Sequence, residues 1–153
     1  MKILYVTAVP LEYSSSANFR NIALIRGLIE NGHSVSTLST SPQKSSSCFD
    51  GTILNIEFEE RFFVDLGQLH AGINAAKRGT LKAKIKSEMY KIYMSLSLYD
   101  SRKNAAARVS KIDFSKKKYD IIISSSDPKS SHLFAENLLK AYPNVADRWI
   151  QYW

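Results

Sequence analysis

Residues 119–126 read YDIIISSS, and residues 127–134 continue DPKSSHLF. The uninterrupted run Ile121-Ile122-Ile123 behind Tyr119 has no polar alternation, which is the pattern of a strand buried on both faces at the centre of a parallel sheet. The hydroxyls of Ser124, Ser125 and Ser126 end it. Asp127 is an N-cap type of residue and Pro128 suits a first helical position, so a helix is expected from there to about Ala141. After Tyr142-Pro143-Asn144, residues Ala146 to Trp153 carry Trp149, Ile150, Tyr152 and Trp153 and read as a further strand.

Upstream, strand and helix alternate in the same way. Lys2 to Ala8 reads as a buried strand, and Pro10 to Ser16 as a loop of turn formers and hydroxyls. From Ala17 to Glu30, Phe19, Ile22, Ile25 and Ile29 recur at helical spacing, and Asn31-Gly32 supplies the stop. His33 to Ser39 reads as a second strand, parallel to the first through the usual crossover. Thr40 to Gly51, rich in serine, reads as a flexible connection, and Thr52 to Phe58 as a third strand. Phe62, Phe63 and Val64 receive no assignment. This order predicts an α/β protein with a doubly wound, mostly parallel, Rossmann-like sheet. In such sheets ligands bind in the crevice at the carboxyl ends of the strands, which here means the loops Val9 to Ala17 and Ser124 to Ser131.

Composition agrees with one folded unit over residues 1–153. A chain of 153 residues with 44% hydrophobic and 23% charged residues has an ordinary globular balance, which excludes fibrous and wholly disordered classes. Its one cysteine, Cys48, gives no intrachain disulfide, and the first apolar run stops at Pro10, too short for a signal h-region. Both features point to a reducing, cytoplasmic setting. The net charge of +7 is unevenly placed: residues 77–118 hold 13 of the 21 Lys and Arg against three acids, a local charge of +10. Within that stretch Leu81, Ile85, Met89, Ile92, Leu96 and Tyr99 follow helical spacing, with Lys82, Lys84, Lys86 and Lys91 flanking them. A helical region is expected from about Leu81 to Asp113, broken near Asp100-Ser101. Such a helix either packs on its own domain or lies on an anionic membrane surface, where aromatic rings such as Tyr93 suit the water-lipid boundary. No RNP-type, zinc-finger or recognition-helix motif accompanies the charge, so nucleic acid is not an expected partner.

Several chemistries are excluded by what the motifs require. Dinucleotide binding through G-x-G-x-x-G needs glycines early in the fold, and none lies between Met1 and Arg26. The P-loop and the G-x-S-x-G elbow are absent, and one cysteine with three scattered histidines gives no zinc set, so no metal site is expected. Two hydroxyl-rich loops remain. Ser14, Ser15, Ser16, Asn18 and Arg20 sit where the first helix begins, and together with its backbone N–H groups can hold an anion or sugar hydroxyls, or can simply cap the helix. Asp127, Lys129, Ser130, Ser131 and His132 open the later helix with the same choice.

Lys2-Ile3-Leu4-Tyr5-Val6, with the helix running into Leu28-Ile29-Glu30-Asn31-Gly32-His33-Ser34-Val35, resembles the opening of family 4-like glycosyltransferases, whose first helix commonly runs into L-x-x-x-G-H-x-V. The stretch from Asp120 through Ser124-Ser125-Ser126-Asp127-Pro128-Lys129-Ser130-Ser131-His132-Leu133 is similar to that family's D-hydrophobic-S-S-x-P-x-S-x-H-L segment, and Trp149-Ile150 looks like the strand before its Asp-containing loop. Residues 40–118 are not matched. The resemblance implies the acceptor-binding, N-terminal half of a two-domain GT-B enzyme, with a further half that holds the nucleotide-sugar donor, an expectation that suits a sequence stopping within an apolar strand. It implies transfer of a sugar to a glycan or lipid-linked acceptor with no cofactor in this half, and a peripheral place at the inner face of a membrane. Where the family often places glycines after its first strand this chain has Ser14 to Ser16, and no residue here matches the family's catalytic base. The alternative expectation is a stand-alone Rossmann-like module that binds a nucleotide or docks on membrane without catalysis.

Overall fold

In the computed structural model, which describes residues 1–66, 85, 88, 89, 92 and 99–153, five strands form one sheet. They are β1 (Lys2–Val6), β2 (Ser34–Thr40), β3 (Arg61–Val64), β4 (Tyr119–Ser125) and β5 (Ala146–Tyr152), in the order β3-β2-β1-β4-β5 with every pair parallel. The chain is an α/β protein with a Rossmann-like sheet. The isoleucine run lies where its composition demands: Ile121, Ile122 and Ile123 pair with Ile3, Leu4 and Tyr5 of β1 on one side and with Arg148, Trp149 and Ile150 of β5 on the other.

Helices cover both faces. On one, α1 (Ser16–Glu30) sends Ile22 and Ile25 onto Ile3, Tyr5, Val35 and Ile123. On the other, α2 (Lys103–Ala106), a 3-10 turn at Val109–Lys111 and α3 (Ser130–Ala141) pack Ala105, Ala106, Val109, Phe134, Ala135 and Leu138 onto Leu4, Val6, Leu38 and Ile122. Alternate side chains of β1 and β4 therefore enter different cores, as the period of two requires. Helix α1 ends as the sequence indicates: Asn31 caps it and Gly32 takes φ +78°, the left-handed conformation that glycine adopts without a side-chain clash.

Three expectations need correction. The third strand is Arg61–Val64 and not Thr52 to Phe58. Ile53, Leu54, Ile56 and Phe58 instead lie over the α1 side of the core, partly buried and outside any ladder. An apolar pattern is the same for a strand and for a segment draped over a core, and the edge beside β2 is taken by residues 61–64. The later helix begins at Ser130, with Lys129 at the N-cap position and no side-chain cap, so Asp127 does not cap it. The Pro128 carbonyl accepts from both the backbone N–H (2.9 Å) and the hydroxyl (2.8 Å) of Ser131, a turn that leads into the helix. The region after Asp100 is two short turns of helix, not one continuous helix. The chain does break at Asp100, where Arg102 Nη1 donates to Asp100 Oδ2 at 2.9 Å and the Lys103 N–H donates to the Asp100 carbonyl.

Lys82, Lys84, Lys86, Lys91 and Tyr93 lie outside the described residues. Ile85, Met89 and Ile92 are helical and exposed, at 56%, 67% and 63%. Among the described residues no helix is long and apolar enough to cross a membrane.

The double-sided burial of β4 makes a direct prediction. Ile122→Ala, at a fully buried position, is expected to cost about 2–5 kcal/mol in urea unfolding. Ile150→Ala, at an exposed position on β5, is expected to stay within about 0.5 kcal/mol of the parent.

Candidate functional site

The strand order reverses at β1, so the chain leaves β1 toward α1 on one face and leaves β4 toward α3 on the other. The loops after β1 and β4 thus open a crevice at the carboxyl ends of neighbouring strands, the position at which doubly wound sheets hold ligands. Direct bonds tie its two walls together. The Ala8 N–H donates to Ser131 Oγ at 2.9 Å, and Ser125 Oγ donates to Asn21 Oδ1 at 3.0 Å. Tyr5 Oη donates to the same Asn21 oxygen at 2.9 Å, and burial pushes that phenol far above its ordinary pKa, so it stays a neutral donor. On the other flank Thr40 Oγ1 donates to the Ala8 carbonyl at 2.7 Å.

The loop after β1 is held as firmly from its own side. Asn18 is 1% exposed, and its Nδ2 donates to the carbonyls of Pro10 (2.8 Å) and Tyr13 (2.7 Å). Glu12, also buried, pairs with Arg61 Nη2 at 2.7 Å, and the Arg61 guanidinium sits over the rings of Phe58 and Phe63. The Ser14 N–H donates to the Cys48 carbonyl at 2.7 Å, and the Asp50 N–H to the Glu12 carbonyl at 2.8 Å. The serine-rich connection therefore braces the loop.

The residues expected to bind substrate divide accordingly. Ser14, Ser16, Arg20, Asp127 and Lys129 are exposed around the crevice. Ser15 is exposed too, but its Oγ accepts the Asn18 N–H at 3.2 Å and caps α1. Asn18 is a clamp inside the loop, and Ser130 is buried with no hydrogen-bond partner for its Oγ among the described residues. Arg20 Nη2 and Asp127 Oδ2 lie 3.8 Å apart with both side chains more than half exposed. An exposed pair at that distance gains little from its own contact, so both charges are available to a ligand seated between the two loops. Among the described residues no group of three or more His, Cys, Asp or Glu is placed to hold a metal ion.

Next to this crevice stands a buried polar cluster that the sequence analysis did not assemble. Ser124 Oγ accepts from Trp149 Nε1 at 2.8 Å and lies 2.7 Å from His132 Nδ1. The far ring nitrogen of His132, Nε2, is buried with no partner among the described residues. Burial holds the pKa of this histidine below its ordinary value of 6.5. Sequence shows Ser124, His132 and Trp149 singly; only the β4–β5 register and the first turn of α3 bring them together.

Comparison with protein-family models, with curated proteins and with solved structures returned no match.

A histidine whose folded pKa lies below its unfolded value binds fewer protons when folded, so its effect on stability grows more unfavourable as pH falls through the unfolded pKa. Lowering the pH from about 7.5 to about 5 is therefore expected to lower the Tm, and His132→Phe is expected to flatten that slope in thermal scans.

Proposed function

We propose that this chain is the acceptor-binding domain of a GT-B glycosyltransferase, which moves a sugar from a nucleotide-sugar donor to a hydroxyl of a glycan or lipid-linked acceptor. The observation that carries the reading is the meeting of the two hydroxyl-bearing loops at one end of the parallel sheet, with Arg20 and Asp127 facing each other across the gap. An acceptor saccharide presents hydroxyls that both donate and accept. Asp127 accepts a hydrogen bond from a hydroxyl, Arg20 and Lys129 donate to oxygens, and Ser14 and Ser16 serve in either sense. The lower walls, tied by Asn18, Asn21 and Ser131, fix the backbone positions from which those exposed side chains reach the ligand. The part played by this chain is to orient the attacking hydroxyl, while the donor sits mainly on a second domain whose closure excludes water. The ordered resemblance of residues 2–6, 28–35 and 120–133 to family 4-like enzymes supports the same reading.

Loop-amide shifts read by NMR test it with a panel of oligosaccharides and a lipid-linked sugar. At least one acceptor is expected to shift both loops saturably, and Arg20→Ala is expected to weaken it by about tenfold or more. Saturable shifts at both loops from UDP- or GDP-sugars alone, with none from any acceptor, would contradict the assignment.

A second reading concerns where the chain works. The exposed, helically spaced Ile85, Met89 and Ile92 lie within the stretch of local charge +10, a combination that suits docking on an anionic bilayer. Sedimentation with anionic but not neutral vesicles is expected, lost on replacing these three residues by serine and weakened by salt. Binding indifferent to lipid charge and salt would exclude this mode.

A further inference from the structure

Alongside α3 and over the same face of β5 runs a groove of about 310 Å³ that does not include Arg20 or Asp127. Lys129, His132 and Glu136 line it from one side of α3, where spacings of three and four place them on one face. Trp149, Gln151 and Trp153 line it from β5 and its end, where alternate residues share a face.

The state of His132 follows from counting protons. Trp149 Nε1 can only donate, so Ser124 Oγ is its acceptor. The Ser124 hydroxyl proton then has one partner, His132 Nδ1 at 2.7 Å, which makes Nδ1 the acceptor and leaves the imidazole proton on Nε2. This N–H is buried and has no partner among the described residues, on a residue only 8% exposed, and an unpaired buried donor is costly enough to require an explanation. The indole of Trp153 stands against the ring, centroids 4.7 Å apart and tilted by 46°, yet is itself 71% exposed. A ligand that swings this exposed indole aside, or slides beneath it, reaches the waiting donor.

The lining selects the ligand. A purely apolar molecule leaves Nε2 unpaired. A simple anion suits Lys129 and Nε2 but meets the Glu136 carboxylate, one oxygen of which, Oε1, is paired with Lys140 Nζ at 2.6 Å while Oε2 is left to accept. The polar atoms of a nucleobase lie in one plane, whereas the donor at His132, the acceptor at Glu136 and the amide of Gln151 are distributed around the groove. A pyranose ring meets all three through separate hydroxyls and offers a C–H face to an indole.

We infer that the groove between α3 and β5 is a saccharide-binding site, with His132 Nε2–H as the fixed donor to a sugar hydroxyl and Trp153 as the apolar platform. It shares Lys129 with the rim of the crevice between the loops after β1 and β4 but includes neither Arg20 nor Asp127, so loss of binding on Arg20→Ala tests the crevice alone and loss on His132→Phe or Trp153→Ala tests the groove alone.

Tryptophan fluorescence and saturation-transfer NMR test it on the intact chain with the methyl glycosides of glucose, mannose and galactose and with N-acetylglucosamine. Saturable binding on the order of millimolar is expected for at least one sugar. Trp153→Ala, at an exposed position where folding is not at issue, and His132→Phe, which keeps an aromatic ring but removes the donor, are each expected to weaken it by about tenfold. Arg20→Ala is expected to leave it unchanged. Three outcomes would overturn the inference: no saturation by any of the four sugars up to roughly 100 mM, sugar binding unaltered in both variants, or saturation by uridine or adenosine alone.

Discussion

The parallel pairing of β1 with β4, from Ile3 opposite Ile121 to Val6 opposite Ser124, is the interaction on which the other features depend. Both strands are too apolar to face water, so each needs helices above and below. Placing β4 beside β1, on the side away from β2, sends the two succeeding helices to opposite faces and parts the loops that lead to them. The crevice is a consequence of burying the isoleucine run, and the chemistry around it is borrowed from whatever those loops carry.

At the carboxyl end of that pairing the apolar run gives way to Ser124 and Ser125, both fully buried. A buried hydroxyl must be paired, and these two are paired in different directions. Ser125 reaches Asn21 of α1, while Ser124 engages Trp149 of β5 and His132 of α3. Adjacent residues of one strand thus join the helices of both faces to the same end of the sheet. Ser131, bonded to the Ala8 backbone, adds a third tie. The exposed groups around the crevice can remain polar and loosely held because the layer beneath them is fixed.

What the sequence made legible was the local chemistry: the β-branched run at 121–123, the helical period through Ile22, Ile25 and Ile29, from which Phe19 departs by lying 51% exposed, and the Asn31-Gly32 stop. These signals act within one turn or one strand, and the all-parallel sheet follows from them. What it hid was decided by competition between distant segments. Residues 52–58 and 61–64 carry similar apolar content, yet it is the second that pairs with β2 while the first packs over the α1 side of the core. Asp127 has the credentials of a cap but faces Arg20, a contact with a residue more than 100 positions earlier. Asn18 and Asn21 look alike as polar residues at the start of a helix. One closes the loop behind it and the other joins two strands to α1, and neither role can be read without the fold. The His132 cluster was equally hidden, since its three members come from β4, α3 and β5 and meet only through register.

The most direct test of this account is the distance between the loops that follow β1 and β4. A nitroxide placed on Ser14→Cys in a Cys48→Ser background, read through relaxation enhancement of backbone amides, measures it in solution. The account predicts strong broadening of the amides of Ser126, Asp127 and Lys129, with little effect on Lys116 to Lys118 at the opposite end of β4. Unbroadened amides across 126–129, or broadening centred on 116–118, would contradict it.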